Sequence, residues 1–228
     1  MKISSLFLLT LLLSAHFSFA QFFIVADKDG YVNVRSAGDS KSSIVDTLNN
    51  GHFIYFFEEQ RGNWRKIEYS RNGKDRGGYI YNDRLRSIGD YDSIPLKHYD
   101  DNTATCSRDS IKIVVTKQKF DKTKYRFTYA DHQIIKINGK QYWGTDGEQP
   151  RTEYKSIVIL TRSRKIVLPH TAFDNLFEPT IYNTEAHYDP LNDIFYIRSQ
   201  NSDGAGAYDV VWRVVKGMYT DRDIEYGF

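Results

Sequence analysis

One cysteine in 228 residues, Cys106, excludes an internal disulfide, the usual support of small exported domains. Stability must then come from packing and from pairing between strands. An excess of charge of one sign is also missing: 31 basic residues face 29 acidic ones, which argues against nucleic acid as a partner. Beyond residue 20 no run approaches about 18 apolar residues, so no integral membrane segment is expected there. Long amphipathic helical patterns, an H-E-x-x-H helix and Cys/His clusters are absent, and no metal or cofactor is called for. The G-x-G of Gly204-Ala205-Gly206 lacks the lysine and the helix of a phosphate loop.

What is present begins with a leader. Lys2 supplies a positive start, Leu6 to Leu13 are apolar but too short to span a bilayer, and Ser18-Phe19-Ala20 has small residues where a signal peptidase cuts. Residues 1–20 therefore read as a signal peptide, and the protein as soluble in the periplasm or secreted. The 17 Tyr and 14 Phe favour pleated, half-buried surfaces, and an all-β chain is expected. The length after the leader suits two modest domains.

From Ile24 to Ile88 short apolar alternations are cut by Asp29-Gly30, Asn49-Asn50-Gly51, Arg61-Gly62-Asn63 and Asn72-Gly73, the rhythm of a small barrel. Asn72-Gly73 is the strongest hairpin signal and should return the Trp64–Ile67 strand into Gly78-Tyr79-Ile80-Tyr81. Exposed flat rings suit peptide or glycan binding, since they offer apolar contact at low entropic cost. Tyr31, Trp64, Tyr79 and Tyr81 are the candidates, and Arg35 is placed to meet a ligand carboxylate. For Trp64 and Tyr79 the alternative is a place in the barrel core, and for Arg35 a loop hydrogen bond or salt bridge.

Val32-Asn33-Val34-Arg35-Ser36, Ile44-Val45, Leu48, Gly51, Asn63-Trp64, Lys66-Ile67, Gly78-Tyr79-Ile80 and Leu85 resemble the bacterial Src-homology-3-like domain, SH3b. The family pattern runs L-N-V-R-S, G-x-x-V, W-x-K-V and G-W-V in that order. Tyr79 stands where the family commonly has a second tryptophan, and Ser70 to Arg76 lengthen the hairpin. The resemblance implies a bacterial source, an SH3-like barrel over 21–88 and a binding module whose partner is a cell-wall peptide or an envelope protein.

Residues 89–110 change character, with Asp90, Asp92, Asp100, Asp101 and Asp109 crowded around Pro95, and read as a linker or loosely packed strap. Cys106 lies there; papain-like endopeptidases that accompany SH3b domains use a cysteine at the start of a helix, whereas Asp109 to Val115 lead into a strand. Residues 111–228 resume the alternation as an antiparallel meander, folded as a sandwich or a strongly curved sheet. A helical turn is expected only at Ala172 to Phe177, with Phe173, Leu176 and Phe177 on one face.

Within that β-rich half, Asn183, Glu185, His187 and Asp189 alternate onto one face of a strand. If the loop Asn201 to Tyr208 lies beside it, Glu185, His187, Asp203 and Tyr208 form a polar patch; the plainer alternative is a solvated sheet face. Trp143 in the loop to Gly147 is either a contact residue or a lid on the core edge. The favoured function is a non-enzymatic binding protein of the cell envelope, with an inhibitor or immunity-type protein as one concrete form. The competing function is a cell-wall hydrolase, with Glu185 or His187 as general base.

Overall fold

Turn residues cut the chain so often that strands dominate, and strands organise everything that follows. A computed structural model describes residues 21–56, 62–71 and 74–227. The leader and the Asn72-Gly73 turn lie outside the described residues. Among those described, no helix is long and apolar enough to cross a membrane.

The first sheet contains β1 (Gln21–Val25), β2 (Tyr31–Arg35), β3 (Ile44–Asn49), β4 (Phe53–Phe56), β5 (Trp64–Arg71), β6 (Lys74–Tyr81) and β7 (Leu85–Ser87), in the spatial order β3-β2-β6-β5-β4-β1-β7. Strands β5 and β6 pair antiparallel from Trp64 opposite Tyr81 to Arg71 opposite Lys74. Val25, Val32, Val34, Leu48, Ile54, Ile67 and Ile80 turn into a common core, so the sheet wraps around its own apolar face. Two of its strands are buried on both faces. Phe23, Val25, Ile54 and Phe56 face that core, while Phe22, Ile24, Phe53 and Tyr55 face a second cluster shared with Ile88, Tyr196 and Val211.

The second body contains β8 (Asp92–Ser93), β9 (Leu96–Tyr99), β10 (Thr103–Arg108), β11 (Ile111–Lys119), β12 (Phe127–Ala130), β13 (Gln133–Ile137), β14 (Thr152–Leu160), β15 (Lys165–Val167), β16 (Thr184–Asp189), β17 (Ile194–Asn201), β18 (Tyr208–Val215) and β19 (Met218–Tyr226). One sheet runs β15-β14-β11-β10-β9, the other β19-β18-β17-β16-β8, and β12-β13 form a separate hairpin. Their facing residues, among them Cys106, Ile113, Ile157, Ile159, Phe195, Ile197, Val210 and Trp212, fill one core, which makes the body a sandwich.

The segment 89–110 is not a loose linker. Strand β8 joins one sheet beside β16 and β9 joins the other beside β10, with buried Ile94 at the crossing between them. Its aspartates are all exposed, Asp92 within β8 and the others outside the strands, while Ile94, Ala104 and Cys106 enter the core, so composition alone hid the pattern. The expected helical turn is also replaced: a 3-10 turn covers His170–Ala172, and Phe173, Leu176 and Phe177 are buried from irregular backbone.

Trp143 is half-buried over the sandwich core, its ring 4.7 Å from that of Tyr226 and 6.2 Å from that of Tyr208. Beside it the two glycine-bearing loops meet, with the Ser202 hydroxyl donating to the Gly144 carbonyl at 2.7 Å. Gly144 has φ +112°, and a Cβ there would lie 2.6 Å from the Phe177 carbonyl carbon. Gly144→Ala should therefore destabilise the protein by more than about 1 kcal/mol in urea unfolding; an unchanged midpoint would contradict the close approach.

Candidate functional site

Strand alternation decides which first-sheet side chains meet solvent. Ile67 and Ile80 point into the core, so their neighbours Trp64, Lys66, Tyr79 and Tyr81 share the outer face, Trp64 opposite Tyr81 and Lys66 opposite Tyr79. Trp64 and Tyr79 thus lie outside the barrel core. The Trp64 and Tyr81 rings meet edge to face with centroids 5.3 Å apart. Arg35 is paired with Tyr79 across the β2-β6 junction and joins the same face.

A loop from Ser36 to Ser43 closes one side of this face. Gly38 brings it in: a Cβ there would lie 3.1 Å from Trp64 Cβ and 3.5 Å from Tyr79 Cδ1. Arg35 Nη1 donates to the Ser42 carbonyl at 2.6 Å, and the Ser42 hydroxyl donates to the Ala37 and Asp39 carbonyls at 2.9 and 2.7 Å. Arg35 therefore anchors the loop that walls the rings. Tyr31 is on the same strand face but four residues away, roughly 13 Å along the strand, and it is exposed. Four of the five residues singled out in the barrel thus converge, with Tyr31 at the margin. Lys66 went unrecognised as part of this surface, although its spacing of two from Trp64 signals a common face.

The polar patch does not assemble. Glu185 and His187 occupy one face of β16, whereas Tyr208 belongs to the opposite face of the same sheet, fully buried, with its hydroxyl donating to the Phe177 carbonyl at 3.0 Å. Asp203 is exposed in the turn before β18. Glu185 itself is exposed, but its face of the sheet is not solvated throughout. The first sheet covers much of it, packing Phe22, Phe53 and Tyr55 against Tyr196 and Val211.

That junction buries a charge cluster. Asp209 has no exposed surface; Arg198 Nε reaches its two carboxyl oxygens at 3.0 and 3.1 Å, and Arg198 Nη2 forms an ion pair with it. Tyr55 donates across the junction to the same carboxylate at 3.3 Å, and Glu185 lies 3.4 Å from Arg198 Nη1. Burial pushes the Asp209 carboxyl up, against the pull of Arg198 and Tyr55. His187 Nδ1 is 3.4 Å from the Tyr91 carbonyl oxygen. Cys106 lies on β10 inside the sandwich, and burial, with Glu185 nearby, pushes its thiol up to about 11.

A small self-wrapped sheet with rings on its outer face and a loop folded against them defines an SH3-like unit. Residues 30–86 match the family of the bacterial SH3 domain, so this part of the chain is a bacterial SH3 domain. No curated protein and no solved structure gives a match to the chain.

Proposed function

We propose that the protein is an exported, non-enzymatic binding protein of the bacterial cell envelope, whose SH3 unit recognises a cell-wall peptide or a protein partner. The observation that carries this reading is the ring surface of Trp64, Tyr79 and Tyr81, walled by an Arg35-anchored loop, within a bacterial SH3 domain. Domains of this family act as targeting modules for cell-wall material, and the leader supplies the route to it. Aromatic rings held in place before binding lose little entropy on contact, which favours recognition over chemistry at this surface. An inhibitor or immunity-type role is one form of the same reading, with a protein as the ligand.

A hydrolase centred on the sandwich has less support. Glu185 is engaged by Arg198, and the His187 ring faces a backbone carbonyl instead of a carboxylate partner.

Trp64→Ala and Tyr79→Ala should each weaken retention on purified peptidoglycan by about thirtyfold, the scale of an interface hot spot near 2 kcal/mol. Because both rings are on the outer face, the unfolding midpoint should move far less than for a core truncation. Retention unchanged in both variants would remove the ring surface as a cell-wall peptide site. Capture of a protein partner by the wild type, lost in the same variants, would identify the inhibitor form.

A further inference from the structure

The turn Asn49 to Phe53 of the SH3 unit and the paired strands β18 and β19 enclose a polar cleft of about 390 Å³. Small-molecule sites begin near roughly 300 Å³, so the cleft has room for a compact ligand and not for a folded partner. It belongs to neither the ring surface nor the Asp209 cluster.

Its walls are of both signs. Arg213 is fully engaged by the protein: Nη1 donates to the Gly51 carbonyl, and Nε donates to Asp221 at 2.8 Å. That pair neutralises itself and holds the two bodies together across the cleft floor. Arg71 is different. Its Nη1 serves the Asp46 carboxylate and the Thr47 carbonyl, while Nε and Nη2 have no partner among the described residues. The Nε–Nη2 edge is the one that grips a carboxylate with two parallel hydrogen bonds.

Asp223 lines the same cleft next to Asp221 and makes no ion pair among the described residues. Burial, with Asp221 alongside, pushes its carboxyl up to about 6, eased by the Ile224 N–H and by Arg213. Asp223 is half-buried at the cleft, and a carboxyl so placed without an ion-pair partner is one that a bound ammonium would complement. A lone anion would meet Asp223, and a lone amine would meet Arg71.

We propose that this cleft binds a small zwitterion of the amino-acid class, a free amino acid or a very short peptide, with its ammonium on Asp223 and its carboxylate on Arg71. The proposal is independent of the ring surface and of what that surface recognises.

Isothermal titration of the purified protein with glycine, alanine, lysine and dialanine, against acetate and ethylamine, tests it. At least one of the four zwitterions should bind with one-to-one stoichiometry, and neither acetate nor ethylamine should. Asp223→Asn and Arg71→Gln should each weaken that binding about tenfold or more, the scale of one charge-assisted hydrogen bond. Asp223→Asn keeps the shape and removes repulsion from Asp221, so it should unfold no earlier than the wild type, and loss of binding in it is not loss of fold. The Trp64→Ala variant should bind as the wild type does. Absence of binding by all four zwitterions to millimolar concentration, equal binding of acetate or ethylamine, or full affinity in Asp223→Asn would each overturn the proposal.

Discussion

Asp209→Ala should destabilise the protein by about 3–5 kcal/mol, the cost of leaving a buried charge without its partner. Arg198 keeps 16% of its side chain exposed and would lose its buried counter-ion, while Glu185 stays 3.4 Å from Nη1. The hydrogen bond from the Tyr55 hydroxyl to Asp209 would go at the same time, inside the junction between the SH3 unit and the sandwich. Against a typical total of about 5–15 kcal/mol, such a loss is a large fraction of what holds a protein folded. Replacing both partners by apolar residues, Arg198→Met with Asp209→Leu, should recover most of it, because the penalty lies in the orphaned charge and not in the missing pair. Urea unfolding of the single and double variants measures both. A loss below about 1 kcal/mol for Asp209→Ala would mean that water reaches Arg198 and that the junction is open.

That junction also marks where reading the chain as a string of residues succeeds and where it stops. Alternation located the strands outside residues 89–110 and not β8, β9 or β10 within that stretch, since a residue pattern of period two reports directly on which side of a sheet is buried only where the pattern is long enough to show. The alternation predicts strands at 111–116, Gln133–Ile137 and Tyr208–Val215, and the structure has them at Ile111–Lys119, Gln133–Ile137 and Tyr208–Val215. The SH3 unit was legible for a second reason: Val32 to Ser36 and Trp64 to Ile67 carry both core positions and the outer ring face of one small barrel. The packing of that barrel on the sandwich was not legible from period alone. It did leave a trace, because Phe53-Ile54-Tyr55-Phe56 and Phe195-Tyr196-Ile197 are apolar without interruption, as strands buried on both faces must be. The face of β16 that carries Glu185 and His187 is solvated at Glu185 and partly covered at His187, a difference that alternation cannot show because polar residues under a covering body look, in one dimension, like polar residues under water. The Asp223 cleft was missed because its walls come from Arg71 and β19, about 150 residues apart and joined only by the fold.

Trp212→Ala should cost about 3–5 kcal/mol, the range for truncating a large ring in a core that cannot close over the gap. Trp212 has no exposed surface and stands edge-on to Tyr154, with ring centroids 5.5 Å apart. Its indole N–H donates to the Ala172 carbonyl at 2.7 Å, which fixes the irregular segment that delivers Phe173 and Leu176 to the sandwich core and Phe177 to a smaller cluster with Phe120, Ile134 and Ile137. Ala172 has a second donor in Arg222 Nη1, so its carbonyl stays satisfied when the indole is removed. The loss in Trp212→Ala is therefore mostly volume, and Trp212→Phe, which keeps most of the ring and forfeits one hydrogen bond, should cost roughly 1–2 kcal/mol. If instead both variants lose the same amount, the hydrogen bond is what holds the segment, and Arg222 does not substitute for it. Either way the damage should be confined to the sandwich: retention through the SH3 rings at a temperature where Trp212→Phe is folded should equal that of the wild type, because the Trp212 side chain lies on the face of β18 turned away from the SH3 unit.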